Sequence, residues 1–361
     1  MDIIIPGLHA SIAFQCILFA CYLLFDERRH LLANRINLGL LATLACHMLF
    51  NLAHEYALPN LIPNLTFGFG LLYGPLIFLY IQALMYRDFE WRSAYWLHFL
   101  PSVVLNLSPL FVQPSGLFGA LTTFISMGIY LLLSFHHYIH FRKTLNQTQS
   151  DVDGIAMRWA LHVLLLNGAS LILNITSITL SIFNDNSILE TWAEIGVFLV
   201  LFIMVNTFLF KGLVQPSLFE GITKEDSDIT EQSQSNTAIG GLDVARYQEI
   251  KEKLLTHMQT KKPYRDSLFN LAMLGRQIGE SPRYVSAVIN RELALSFADF
   301  VNRYRLAEVK RYLEDAEEQR TILDLIHTCG FSTKSNFNRV FKQQEGVTPS
   351  EYRKARCSRS R

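Results

Sequence analysis

Seven apolar runs occupy the first 210 residues of this 361-residue chain, each about long enough to cross a lipid bilayer. A helix needs about 20 apolar residues to span the roughly 30 Å hydrocarbon layer, where its backbone polar groups must be satisfied internally. Pro101 and Pro109 interrupt the fourth run, which is the weakest. The sequence predicts a seven-transmembrane helix bundle, with spans at about 3–25, 36–55, 61–86, 94–112, 116–141, 158–183 and 188–210.

The basic residues of this half favour one orientation in the membrane. Lys and Arg accumulate in short cytoplasmic loops. Every basic residue before position 211 follows the first, third or fifth run: Arg28, Arg29, Arg35, Arg87, Arg92, Arg142, Lys143 and Arg158. This pattern predicts an outside N-terminus and a cytoplasmic location for Lys211 and everything after it. No basic residue precedes the first run, so we expect that run to be retained as a span.

Several polar side chains fall within the outer halves of the apolar runs. Such groups are costly in a membrane and often functional. Spacings of four and three residues place His47, Asn51 and His54 on one helix face. We predict an outward-facing, signal-sensing pocket; its candidates are His47, Asn51, His54, Glu55, Asn174 and Glu194. Two alternatives stay open: the residues form interhelical or headgroup hydrogen bonds, or His47 and His54 bind a metal ion, although no motif supplies a third ligand.

The composition changes after the last apolar run. Residues 1–210 contain 8 Lys and Arg against 11 Asp and Glu, whereas residues 241–361 contain 22 against 15, a net charge of +7. Such an excess is typical of an anion-binding module. The polar stretch between them predicts a flexible linker. The predicted domains are a membrane domain at 1–211, a linker at 212–242 and a soluble domain at 243–361.

The soluble domain contains the same helical pattern twice. After a first helix with Asp243 as its N-cap, a short helix around Leu271 and a turn at Gly279 lead to a second helix that opens at Ser281-Pro282. The pattern recurs with a helix from Ile322, a turn at Gly330-Phe331 and an N-cap at Ser332. A longer helix, 296–313, separates the two copies. Two short helices joined by a glycine-containing turn predict a helix-turn-helix unit.

The residues of this domain resemble those of the AraC-type transcriptional regulators. The matching stretch, 322–353, contains Gly330-Phe331, Ser335-Asn336-Phe337, Arg339, Phe341-Lys342, Gly346, Thr348-Pro349-Ser350 and Tyr352-Arg353. Upstream, Ser296-Phe297, Val301-Asn302, Arg305-Leu306 and Leu313 match the central helix of the same family. The resemblance covers about 120 residues. It implies an all-α, seven-helix domain with two helix-turn-helix units that binds double-stranded DNA and works with RNA polymerase in a bacterium.

The second helix of each unit is the expected reader of DNA bases, because such helices present side chains to the major groove. The predicted base-reading residues are Arg283, Tyr284, Ser286, Ala287 and Asn290 in the first unit and Thr333, Lys334, Ser335, Asn338 and Arg339 in the second. Arg can bind guanine and Asn can bind adenine through paired hydrogen bonds. The predicted phosphate contacts are Arg276, Arg291 and Lys342, which fix register without reading sequence.

Together these features predict a regulator of transcription anchored in the bacterial cytoplasmic membrane. The bundle senses an unknown signal ligand, the DNA-binding domain lies in the cytoplasm, and neither a metal nor a cofactor is expected. The sequence does not specify the oligomeric state, and a homodimer is compatible with it. Two alternatives stay open, a transporter and an intramembrane enzyme, each with a regulatory DNA-binding tail. No nucleophile elbow, His-Glu-x-x-His motif or phosphate-binding loop supports the enzyme.

Overall fold

The computed structural model describes residues 4–25, 31–54, 66–86, 88–107, 116–150, 155–183, 187–214, 244–315 and 317–357. The chain divides into two compact units. The first, here called the apolar bundle, comprises Met1–Ile139 and Ile155–Gly221. The second, the basic unit, comprises His140–Gly154 and Ile222–Arg361. Regular structure in the described residues is helical, which confirms the predicted all-α class.

The apolar bundle consists of long helices separated by short connections. Its helices are α1 (Ile4–Phe25), α2 (Leu32–Leu52), α3 (Thr66–Met85), α4 (Leu100–Leu107), α5 (Gly116–Thr148), α6 (Ile155–Phe183) and α7 (Ser187–Val214). Six of these are long and apolar enough to cross a membrane, and α4 is the exception. The predicted number of seven spans is therefore approximate.

The fourth predicted span folds as two short pieces. A 3₁₀ helix over Ser93–Phe99 runs directly into the eight-residue α4, and Pro101 lies in the first turn of α4, where proline leaves no hydrogen bond unmade. With rises of about 2.0 Å per 3₁₀ residue and 1.5 Å per α-helical residue, the segment extends over about 26 Å. It therefore nearly matches the thickness of a hydrocarbon layer.

Helix α3 is the central helix of the apolar bundle. Its most apolar stretch is 61% buried, against 17% for α5. Two of its glycines make room for side chains of α5, because a Cβ at Gly70 or Gly74 would lie under 3 Å from the side chain of Thr123 or Tyr130, respectively. The other helices turn large apolar side chains outward: Phe14, Leu132 and Ile172 are each more than 60% exposed. Apolar side chains that face outward all round suit a lipid environment.

The basic unit contains the seven helices that the family resemblance implies. They are α8 (Val244–Lys261), α9 (Leu271–Ile278), α10 (Pro282–Glu292), α11 (Phe297–Glu314), α12 (Ile322–Thr328), α13 (Lys334–Glu345) and α14 (Pro349–Cys357). The predicted N-cap Asp243 and nearly all of the predicted linker lie outside the described residues. The predicted domain boundaries stay a prediction, although the structure groups 140–154 with the basic unit and not with the bundle.

Helix α11 separates two hydrophobic cores. The first core is built around Leu254, Phe269, Val285 and Phe300, and the second around Leu313, Ile326, Phe337 and Phe341. Residues from the start of α11 belong to the first core and residues from its end to the second. Each core belongs to one helix-turn-helix unit, so the long helix fixes the spacing between the two units.

A buried guanidinium ties this long helix to three other segments. Arg305 of α11 is 1% exposed. Its Nε donates to the Tyr264 carbonyl at 2.7 Å, and its Nη2 donates to the Asp266 carbonyl at 2.8 Å and to Ser150 Oγ at 3.0 Å. Its Cζ also lies 5.7 Å from the centre of the Phe331 ring. These contacts satisfy a charge that would be costly to bury alone.

One turn further along α11, Glu308 holds the segment after α8 in place. Its buried carboxylate accepts hydrogen bonds from Lys262 Nζ at 3.0 Å and from Arg265 Nε at 3.1 Å. Burial opposes ionisation of this carboxyl, but the two cationic donors outweigh that effect, so the pKa of Glu308 lies below its ordinary value. The carboxylate therefore stays charged at neutral pH and keeps both cations beside α11.

The turn of the second helix-turn-helix unit depends on Gly330. Its φ is +88°, and a Cβ there would lie 2.3 Å from the Tyr264 carbonyl oxygen. Gly346 is a matched control, because its φ is +75° and nothing lies within 4 Å of its Cβ position. The two glycines share a left-handed conformation and differ in the space around them.

We expect Gly330→Ala to destabilise segment 241–361 more than Gly346→Ala does. A left-handed residue other than glycine costs about 1–2 kcal/mol, and at Gly330 the backbone must also move, for a total of about 3 kcal/mol or more. Urea unfolding of the two variants measures the difference. Equal losses in unfolding free energy would contradict the close packing inferred at Gly330.

Candidate nucleic-acid interface and bundle cavity

The first helix-turn-helix unit is built from α9 and α10. Asn270 caps α9, and its side chain accepts a hydrogen bond from the backbone N–H of Met273 at 2.9 Å. Gly279, with a φ of +72°, ends the helix. Gly275 lets the start of α10 approach, because a Cβ there would lie 2.7 Å from the Glu280 carbonyl oxygen. Ser281 then precedes α10, and Pro282 opens it as predicted.

Helix α10 is more enclosed than the sequence suggests. Sequence analysis placed Ser286 and Ala287 on the outward, base-reading face, but the structure buries them at 2% and 0% exposure, and that placement is wrong. Residues 285–289 are all buried, and at about 100° per residue they cover the whole circumference of the helix. The reason is that α10 packs against α8 and α11 as well as α9.

Only the two ends of α10 remain accessible. Arg283 and Tyr284 in its first turn are half-buried, as is Asn290 near its end. The Asn290 side-chain amide donates to Ser286 Oγ at 3.2 Å, so Ser286 positions a candidate base reader instead of reading a base itself. The candidate phosphate contacts Arg276 and Arg291 are exposed at the ends of α9 and α10.

The second unit is built from α12 and α13 and is capped at both helix starts. At α12, Thr321 and Asp324 form a reciprocal capping box. Sequence analysis gave Ser332 as the N-cap of α13, but the cap is Thr333, whose hydroxyl accepts from the Asn336 backbone N–H at 3.2 Å. The Thr333 hydroxyl thus already has a structural role, although sequence analysis counted it among the base readers.

Helix α13 presents a continuous polar face. Its buried residues, Asn336, Phe337, Val340 and Phe341, lie on one side. On the other side the predicted contacts are all exposed: Lys334, Ser335, Asn338, Arg339 and Lys342. At about 100° per residue these five lie within an arc of about 140°. Arg339 Nη2 donates to Asn336 Oδ1 at 3.0 Å, which orients the guanidinium on this face.

Other basic residues of this unit serve the fold. Glu280 has a side chain only 4% exposed and pairs with Arg246 at 2.8 Å and Lys253 at 3.1 Å, which joins α8 to the turn before α10. These two cations, like Lys262 and Arg265 beside Glu308, are partly occupied by a buried carboxylate. Sequence analysis missed these pairs because their members lie 27 to 46 residues apart. The count of 22 Lys and Arg in residues 241–361 therefore overstates the number of cations available to a ligand.

A cavity of about 350 Å³ lies inside the apolar bundle. Its walls come from α2, α3, α5, α6 and α7 and are mainly apolar. Four of the predicted sensing residues line it together: His47, Asn51, Asn174 and Glu194. Residues that sequence analysis did not name also line it: Thr66, Tyr73, Thr123, Asn167, Ser170, Ser177 and Glu190. These residues lie on separate helices, so no regular spacing in the sequence indicates that they share a site.

Some of the polar groups around the cavity bond to each other. His47 Nδ1 lies 2.8 Å from the Tyr73 hydroxyl, and Thr66 Oγ1 donates to Asn51 Oδ1 at 2.9 Å. Asn174 donates to the Ser170 carbonyl at 2.8 Å. His47 Nε2 is buried and has no hydrogen-bond partner among the described residues. A buried polar atom of this kind is available to a bound molecule or to water.

The remaining two sensing candidates do not join this group. His54 stacks on Phe50, with ring centres 5.9 Å apart, and is not among the residues that line the cavity. Glu55 lies outside the described residues. Within the described ranges, no three His, Cys, Asp or Glu side chains come close enough together to hold a metal ion.

Comparison with known proteins identifies the C-terminal module. A family model described as a helix-turn-helix domain matches residues 274–355. The HTH-type transcriptional regulator YtdP of Bacillus subtilis is 28% identical over 114 residues, which cover 32% of this chain and 14% of that protein. The urease operon transcriptional activator of Escherichia coli is 27% identical over 107 residues, which cover 30% of this chain and 34% of that protein.

A third relative is similar over a shorter stretch. The melibiose operon regulatory protein of Escherichia coli is 25% identical over 89 residues, or 25% of this chain and 29% of that protein. The chain thus spans about a third or less of the length of these three curated relatives. No solved structure matches the chain. The matches confirm the expected AraC-type helix-turn-helix domain at the C-terminus, and the relatives are regulators of transcription.

Proposed function

We propose that this chain is a membrane-anchored transcription regulator that reads promoter DNA chiefly through α13. The observation that carries this proposal is the exposed face of α13 on a helix-turn-helix domain. A recognition helix needs one face for the core and the opposite face for the major groove. Helix α13 has both faces, and its outward residues carry the donors and acceptors that base edges and phosphates require.

The two units contribute unequally in this proposal. Arg339 is suited to bind guanine through two hydrogen bonds, and Asn338 to bind adenine, while Lys342 is suited to bind a phosphate. In the first unit only the ends of α10 are open, so Arg283, Tyr284 and Asn290 supply a narrower set of contacts. Two units in one chain suit successive major grooves about one helical turn apart, and a monomer then reads an extended, asymmetric site.

We expect Arg339→Ala to weaken binding of segment 241–361 to its preferred DNA by about 10- to 100-fold, the usual effect of losing one bidentate base contact. That DNA is first selected from random duplexes with the wild-type segment. Lys342→Ala should weaken binding to all sequences and lower the salt slope by about one. Arg283→Ala should also weaken binding to the selected DNA, because it removes a predicted contact of the first unit.

Gln344→Ala is the matched control for this series, since Gln344 is exposed on α13 but points to the side of the buried residues. It should bind like the wild type. If Arg283→Ala and Arg339→Ala both bound the selected DNA as tightly as the control, the assignment of α10 and α13 as recognition helices would be wrong.

The apolar bundle is proposed to span the bacterial cytoplasmic membrane and to sense a signal. Its support is the six long apolar helices, the basic residues that all follow odd-numbered runs, and the cavity that gathers four polar residues. The transporter alternative predicts solute flux in vesicles without a transcriptional effect of Glu194→Gln. If the chain is a regulator, Glu194→Gln should change transcription, and the vesicles should show no solute flux.

We further propose that α5 carries the signal. This helix continues without interruption from the apolar bundle to Thr148, and its last residues belong to the basic unit. Just beyond it, Gln149 forms an antiparallel bridge with Asn270, the N-cap of α9, and Ser150 accepts from Arg305. A change at the cavity that shifts α5 would thus reach the cap of α9 and the long helix α11.

We expect Ser150→Ala to uncouple the end of α5 from the DNA-binding domain in the full-length protein. Coupling is reciprocal, so DNA binding should slow hydrogen exchange in residues 140–150 of the wild type. The variant should lose this protection while keeping its affinity for DNA. Thr122→Ala is the control, because that hydroxyl bonds only to the Phe118 carbonyl of α5 itself. Equal protection in the variant and the wild type would contradict this route.

A further inference from the structure

The cavity of the apolar bundle has a marked charge bias. Two carboxylates line it, Glu190 and Glu194, and no Lys or Arg does among the residues that the structure describes. A cavity of this composition favours cations over anions.

The two carboxylates lie one helical turn apart on α7. Side chains four residues apart on a helix are neighbours, and two like charges there destabilise each other. Both glutamates are half-buried, where water screens their charges less than at an open surface. A cation bound between or beside them would relieve the repulsion and add charge-assisted hydrogen bonds.

The rest of the cavity wall suits the apolar part of a small organic molecule. Four aromatic side chains, those of Phe67, Tyr73, Phe124 and Phe198, line the cavity with aliphatic residues and methionines. Aromatic faces attract cations and pack well against flat apolar groups. His47 Nε2 adds a buried polar atom that has no partner among the described residues. The volume of about 350 Å³ falls within the range typical of small-molecule sites.

We propose that the cavity binds a small organic amine, with its ammonium group at Glu190 and Glu194 and its apolar, preferably aromatic, body between α3, α5 and α7. This inference rests on the proposed sensing role and names the chemical class of the signal. An anionic signal is disfavoured because the wall offers it no Lys or Arg. A purely apolar signal would give the charge of Glu190 and the buried His47 Nε2 no polar contact from the ligand.

The test uses the full-length chain in nanodiscs of phosphatidylcholine, without DNA. Three probes share one aromatic body: 2-phenylethylamine is cationic, 2-phenylethanol is neutral and 3-phenylpropionate is anionic. We expect the amine to bind at least tenfold more tightly than the other two. Glu190→Gln and Glu194→Gln should each weaken amine binding by about tenfold and leave binding of the alcohol unchanged, since only the charged contact is lost.

Glu90→Gln is the matched control, because it removes the same charge from an exposed residue of the bundle that does not line the cavity. It should bind the amine like the wild type. Two glutamate variants are used so that misfolding of one, detected by its thermal unfolding, leaves the other to decide. Equal binding of amine and alcohol, or wild-type amine binding by both cavity variants, would overturn the proposal. Either result leaves the DNA-binding test on segment 241–361 unaffected.

Discussion

The buried guanidinium of Arg305 holds together segments of the basic unit that lie far apart in the sequence. It donates to the carbonyls of Tyr264 and Asp266, before the first helix-turn-helix unit, and to Ser150, beyond α5, and it stacks near Phe331 in the turn of the second unit. Without these partners the cost of burying a charge would exceed any gain from packing it. This one side chain therefore helps α11 to hold the two helix-turn-helix units in a fixed mutual position.

The second helices of the two helix-turn-helix units, α10 and α13, differ in exposure because their surroundings differ. Helix α10 is enclosed by α8, α9 and α11, while α13 packs mainly against α12 and α14 and leaves its opposite face exposed. The extra helix α8 stabilises the first unit but covers part of the face that a bare helix-turn-helix would expose. We therefore assign sequence reading mainly to α13 and positioning mainly to the first unit. In this assignment α10 offers less surface to DNA than α13 does, but the helices around α10 hold it in a fixed orientation.

Much of this architecture was predictable from local patterns. Apolar runs predicted the long helices because each run is about as long as a bilayer-spanning helix. The positions of glycine and proline predicted both helix-turn-helix units. Contacts between distant segments were not predictable in this way. Ser286 and Ala287 were placed outward because helical spacing within α10 says nothing about α8. The hydrogen bond from Arg305 to Ser150 joins residues 155 positions apart, and such a distant contact produces no periodic pattern in the sequence. The cavity was predicted in part, since four of its polar residues stood out in apolar runs, whereas Glu190 and Tyr73 did not.

We propose above all that one chain joins a membrane-spanning bundle to a DNA-binding domain in the cytoplasm. The side of the membrane on which residue 242 lies tests this claim most directly. Green fluorescent protein and alkaline phosphatase can each be fused after Gly241, since the first folds to a fluorescent form in the cytoplasm and the second is active outside it. The account predicts fluorescence in the membrane fraction and no phosphatase activity. Active phosphatase, or a fluorescent fusion in the soluble fraction, would contradict it.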